Sequence, residues 1–88
     1  METKHEFGNT QIKYGYMWWS KKDNDTYKKI FPDDRFDIIF ERNKLTNRLV
    51  EWKRNRIWLG FTWMKDNLNQ DDMITIKKSG SKVKFERK

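Results

Sequence analysis

The side chains of this 88-residue chain that could do acid–base, nucleophilic or metal chemistry are few and poorly spaced for it. There is one histidine, His5, and no cysteine. A disulfide framework, a thiolate zinc site and a histidine cluster are therefore excluded, and with them the usual triad chemistry. The carboxylates fall as Asp23/Asp25, Asp33/Asp34 and Asp71/Asp72, adjacent or alternate in turn-prone segments. They lack the Glu and Gly positions of a calcium loop, and turn formation explains them. No glycine-rich phosphate loop or nucleophile elbow occurs. A domain of this size buries only about 60–65% of the surface its unfolded chain exposes, which leaves little material to wall off a deep, dry pocket. The expectation is a protein with no catalytic residues, no metal and no cofactor.

What remains is charge. The chain has 20 Lys+Arg against 13 Asp+Glu, a formal charge of +7, and the excess is uneven. Residues 1–41 carry seven basic and eight acidic side chains, whereas residues 42–88 carry thirteen and five. Arg42, Lys44, Arg48, Lys53, Arg54 and Arg56 stand against Glu51 alone; Lys77, Lys78, Lys82, Lys84, Arg87 and Lys88 stand against Glu86 alone. Cations gain affinity for a polyanion by neutralising phosphates and releasing counterions. The run Lys53-Arg54-Asn55-Arg56 is the best local reader, because arginine pairs bidentately with guanine and asparagine with adenine, each worth about 1–3 kcal/mol of discrimination when correctly placed. Lys78, Lys82 and Lys84, read as the face opposite Ile76, Val83 and Phe85, suit phosphate contact. Solvated outer strand faces are the alternative origin of such charge.

These residues need elements to hold them. The alternation of Ile12, Tyr14, Tyr16 and Trp18 predicts a first strand within 10–20. Thr26 to Phe31, before Pro32, predicts one or two helical turns. Phe36, Ile38 and Phe40 define a second strand, followed by a polar linker over 42–47. Two further strands meet in a hairpin near Arg54-Asn55, since asparagine tolerates the positive φ of tight turns. A short helix capped by Thr62 ends near Asn67. A strand from Met73 and a last hairpin at Ser79-Gly80 place Ile74, Ile76, Val83 and Phe85 inward. The count is five to seven short strands with one or two short helices: a mainly β chain, a small β-barrel or pseudobarrel, one basic domain over 1–88. With only 35% hydrophobic residues but five Trp, six Phe and three Tyr, the core must be aromatic. Trp18, Trp52, Trp58 and Trp63 are assigned to it. Trp19, adjacent to Trp18 in an expected strand, must face the other way and is the candidate exposed ring for stacking a base.

The segment from Ile57 to Ile76, with Gly60, Trp63, Asn67, Leu68, Asp72, Ile74 and Ile76, resembles the B3 domains of plants and the B3-like recognition domains of some restriction enzymes. The Leu, Gly-Asp, strand ending is shared with swapped-hairpin regulators of the AbrB type. Asp71 stands where that group favours Gly. The likeness spans about residues 36–86 and implies a pseudobarrel that grips duplex DNA in the major groove with two loop-and-strand arms.

The reading is a nucleic-acid-binding protein, duplex DNA favoured, acting through Arg42, Lys44, Arg48, Lys53, Arg54, Asn55, Arg56, Lys78, Lys82, Lys84 and Trp19, in the manner of a small transcriptional regulator. One alternative is a small inhibitor of viral or mobile-element type that targets a host enzyme. Another is a single-stranded DNA or RNA binder of OB- or SH3-like type. No apolar run approaches the roughly 20 residues that span a bilayer and the N-terminus is polar, so a soluble intracellular protein is expected. No heptad or exposed apolar stripe argues for a dimer.

Overall fold

The computed structural model describes residues 1–87. In chain order the elements are β1 (Glu2–Phe7), α1 (Asn9–Tyr14), β2 (Tyr16–Trp18), α2 (Asn24–Ile30), β3 (Arg35–Phe40), β4 (Asn43–Glu51), β5 (Arg56–Trp58), α3 (Phe61–Asn67), β6 (Asp72–Ser79) and β7 (Lys82–Arg87). Single 3₁₀ turns at Lys21–Asp23 and Trp52–Arg54 precede α2 and β5. The strands form one seven-stranded sheet in the order β1-β6-β7-β3-β4-β5-β2, curled into a nearly closed small β-barrel. Every pairing is antiparallel except β3 with β7.

Three segments depart from the sequence expectation. The strand β1 was unanticipated, because Thr3, His5 and Phe7 face inward with a single apolar side chain among them while Glu2, Lys4 and Glu6 face out. The expected first strand begins as a helix. Asn9–Tyr14 is one α-helical stretch closed by Gly15 in the left-handed region at φ +77°, whose N–H bonds to the Gln11 carbonyl; only Tyr16–Trp18 is strand. Gly15 there is a helix stop of the left-handed kind, and its carbonyl accepts from the Leu59 and Gly60 amides at 2.9 and 3.0 Å. A Cβ on Gly15 would lie 2.4 Å from the Phe61 nitrogen, so this crossing of chains is open to glycine alone.

The expected polar linker 42–47 is instead the first half of β4, paired with β3 through the two-residue tip Glu41-Arg42. A bulge explains how one strand can read as two pieces. Asn47 takes φ +52° and its amide donates to Asp37 Oδ1 at 2.9 Å. The extra residue changes the phase, so Leu45 is buried before it and Val50 after it.

The remaining elements match. Helix α2 ends where expected, with Phe31 extended ahead of Pro32 and its amide bonded to the Tyr27 carbonyl. The β4–β5 turn has Asn55 at φ +51°. Helix α3 runs to Asn67, capped by Gly60 rather than Thr62. The core is aromatic as anticipated, though not with all the expected tryptophans. Trp19 is only 6% exposed, stacks on Tyr27 at 4.4 Å and donates Nε1–H to Asn24 Oδ1. Trp52 and Trp63 are half-buried and pack against the core as expected, whereas Trp58 is 37% exposed and Trp18 is half-buried on the outer face. Adjacent residues do face opposite ways, but Met17 is the inward residue of β2, which puts Tyr16 and Trp18 outside and turns Trp19 in as the strand ends.

Candidate nucleic-acid interface

Because β3 and β7 run parallel with Ile38 beside Val83, the start of β7 lies at the same end of the barrel as the start of β3. The antiparallel ladders then fix which loops share that end. The β6–β7 turn brings Lys78 and Lys82 there; β4 runs toward it and delivers the Lys53–Arg54 turn. Strand β2 ends beside Arg56, and the Trp19 amide donates to the Asn55 carbonyl at 3.0 Å, which sets Lys21 and Lys22 next to that turn. Helix α2 covers the same end, and Lys28 Nζ lies 5.8 Å from the Trp52 ring centre. The two hairpin tips are separated by about three inter-strand spacings, roughly 14 Å along the curved sheet, comparable with a major groove about 12 Å wide.

Lys21, Lys22, Lys53, Arg54, Lys78 and Lys82 form no ion pair among the described residues. Carboxylates at this end are largely held in local structure. Asp23 accepts from Ser20 Oγ, Asp33 from the Asp34 amide and Asp34 from Trp52 Nε1. The opposite end carries Glu41, Asp66, Asp71 and Asp72. There Arg87 bonds Glu41, Asp72 and the Asn67 carbonyl, clamping the β3–β4 tip to the end of α3.

The sequence-nominated residues thus separate into groups. Lys53, Arg54, Lys78 and Lys82 come together. Asn55 closes the Lys53–Arg54 turn, and its backbone carbonyl accepts from the Trp19 amide. Arg56 is occupied: its Nε meets Glu51 Oε2 at 2.5 Å and its guanidinium lies 4.0 Å from the centre of the Tyr16 ring. That contact holds the Glu51 carboxyl below its ordinary pKa and raises that of Arg56. Lys44 is 3.4 Å from Asp37, whose pKa is lowered first by the Asn47 amide and then by Lys44. Lys84 is 3.8 Å from Glu86, which Lys77 also approaches at 3.1 Å; these lysines depress the Glu86 pKa. Arg42 sits on the β3–β4 tip at the far end.

Four placements correct the sequence reading. Lys78 shares the phase of Ile76 and pairs with Val83, so it extends the inward row where the strand overshoots the core, whereas Lys82 and Lys84 face out. Arg48, beyond the bulge, pairs with Phe36 and leaves its Nε buried without a hydrogen-bond partner. Trp19 is core and unavailable for stacking. The exposed aromatics are Trp58, Phe61 and Tyr14, and Trp58 and Phe61 with Leu49 give the surface an apolar stripe that the pattern of the sequence did not suggest. Lys21 and Lys22 were missed because they lie in the half of the chain with no net positive charge; only the β2–β5 pairing brings them to the basic tip.

No helix of the described residues is long and apolar enough to cross a membrane. Compared with known protein families, with curated proteins and with solved structures, the chain matches none.

Proposed function

We propose that the protein binds duplex DNA by setting the end of the barrel that carries its two basic hairpin tips against the major groove. The observation that carries the reading is the convergence of Lys53 and Arg54, Lys78 and Lys82, and Lys21 and Lys22 on that end, none of them in an ion pair among the described residues. Exposed surface ion pairs contribute little to stability, so leaving these cations unpaired forfeits little of it. Phosphate neutralisation supplies the affinity. Arg54, exposed on the β4–β5 turn, is the one guanidinium among these six cations and in this reading contacts a base edge; the tip spacing suits the two phosphate rows that border one groove. Intracellular action as a small regulator of transcription belongs to the same proposal, as does the resemblance to B3-like and AbrB-like pseudobarrels, which carries none of its weight.

The test is a gel-shift series on duplex DNA, single-stranded DNA and RNA with the double variants K53A/R54A and K78A/K82A. Each variant is expected to weaken duplex binding by tenfold or more, while Lys65→Ala at the opposite end leaves it unchanged. Equal retention in all variants refutes the reading. A single stoichiometric protein partner recovered in place of DNA binding would favour the inhibitor reading.

A further inference from the structure

The outer face of the β3-β4-β5-β2 region holds a second feature that duplex binding at the barrel end does not use. Tyr16 on β2 pairs with Trp58 on β5. Leu49 lies one step along the ladder from the Val50–Ile57 pair, beside Trp58, and pairs in turn with Arg35 on β3. One row across four strands therefore reads Arg35, Leu49, Trp58, Tyr16, all on the outside. The Trp58 ring is met edge to face by Tyr16 at 4.9 Å and by Phe61 at 6.0 Å. Phe61 is 57% exposed. Beside the row opens a cleft of about 310 Å³ lined by Tyr16, Arg35, Asn47, Arg48, Leu49, Glu51 and Trp58, at the lower end of the volumes that hold small organic ligands.

The electrostatics of this cleft are one-sided. Its single carboxylate, Glu51, is already neutralised by Arg56. Arg35 and Arg48 form no ion pair among the described residues, and the Arg48 Nε–H has no acceptor. An exposed indole in one outer row with the unpaired Arg35, in a cleft whose wall includes Arg48, is complementary to a ligand with a planar aromatic part and an anionic part. A second copy of this chain complements the cleft less well, since a two-fold contact would set two patches of the same positive sign against each other. From this geometry we infer that the cleft binds an unpaired nucleotide of a single strand, its base stacked on Trp58 and its phosphate held by Arg35. The inference does not require duplex binding at the barrel end.

Labelled oligothymidine, followed by anisotropy and by quenching of tryptophan emission, tests it. Wild-type protein is expected to bind with quenching. Trp58→Ala is expected to weaken affinity about 5- to 150-fold, the loss given by removing one base–aromatic stack, and to abolish the quenching. Tyr14→Ala, which removes an exposed ring outside the cleft, changes neither. Arg35→Ala is expected to flatten the salt dependence of log affinity by about 0.7, one single-strand phosphate contact, and its exposed position keeps this arm valid if Trp58→Ala is poorly folded. Absence of oligothymidine binding at low salt, or binding indifferent to both variants, overturns the inference. So does a dimer in sedimentation equilibrium that Trp58→Ala dissociates, which would give the face to a second copy. Duplex affinity is read separately through K53A/R54A, so either reading can fail without the other.

Discussion

Gly15→Ala is the substitution to which the fold should be most sensitive for its size. The residue occupies φ +77°, and an added Cβ would meet the Phe61 nitrogen at 2.4 Å and the Gly60 carbonyl carbon and Phe61 Cα at 2.9 Å. All three are backbone atoms, so no side chain can swing aside. The left-handed conformation alone costs a non-glycine residue about 1 kcal/mol. Relieving the overlap means separating α1 from the start of α3, which lengthens the Leu59 and Gly60 hydrogen bonds to the Gly15 carbonyl, each worth about 1 kcal/mol. The total is about 3 kcal/mol, a large part of the 5–15 kcal/mol that typically holds a domain. Urea unfolding followed by tryptophan fluorescence reads it as a lower midpoint at unchanged slope. Gly8→Ala is the internal control: that residue has φ −74° and open space around its would-be Cβ, so the change should stay below about 1 kcal/mol. If Gly15→Ala proves as mild as Gly8→Ala, the close crossing of α1 and α3 is wrong.

Two further outcomes follow from the seam between β1 and β2, the two edges of the sheet. His5 Nε2 is 2.8 Å from Gln11 Oε1, which also accepts from the Trp18 amide, and His5 Nδ1 is 3.2 Å from the Tyr27 hydroxyl. Burial pushes the His5 pKa below its ordinary value of 6.5, so the unfolded chain takes up this proton more readily than the folded one. Stability should therefore hold above pH 6.5 and decline as pH falls through that value toward the folded pKa; a urea midpoint that is flat there, or unchanged in its pH profile by His5→Gln, contradicts it. Trp19→Ala should cost about 3–5 kcal/mol as a core truncation, against less than about 1 kcal/mol for the outward Trp58→Ala, by the same unfolding assay; equal losses would mean the two rings have been assigned to the wrong sides.

Sequence pattern carried the elements whose apolar residues alternate without interruption. Strand β3, the β6–β7 hairpin and the helix before Pro32 were legible because Phe36-Ile38-Phe40, Ile74-Ile76 and the proline are local signals. Strand β1 was not, since a barrel edge with one buried apolar residue has almost no signature. The bulge at Asn47 split β4 into a polar and an apolar half and made the first look like a loop. The composition also correctly called for an aromatic core, but which of Trp18 and Trp19 enters it depends on where β2 stops. The candidate interface was half readable. The basic tip Lys53-Arg54 is written in consecutive residues; its meeting with Lys78 and Lys82 depends on the parallel β3–β7 pairing and its meeting with Lys21 and Lys22 on the β2–β5 pairing, neither of which a local pattern encodes.

The proposed duplex binding depends most on cations from three separate loops meeting one polyanion together. The salt dependence of duplex affinity measures this directly. If Lys21, Lys22, Lys53, Arg54, Lys78 and Lys82 each neutralise a phosphate, the slope of log affinity against log salt should be about −5, and K53A/R54A should bring it nearer to −3.5. A slope near zero, or one that neither pair of tip substitutions changes, would contradict the claim.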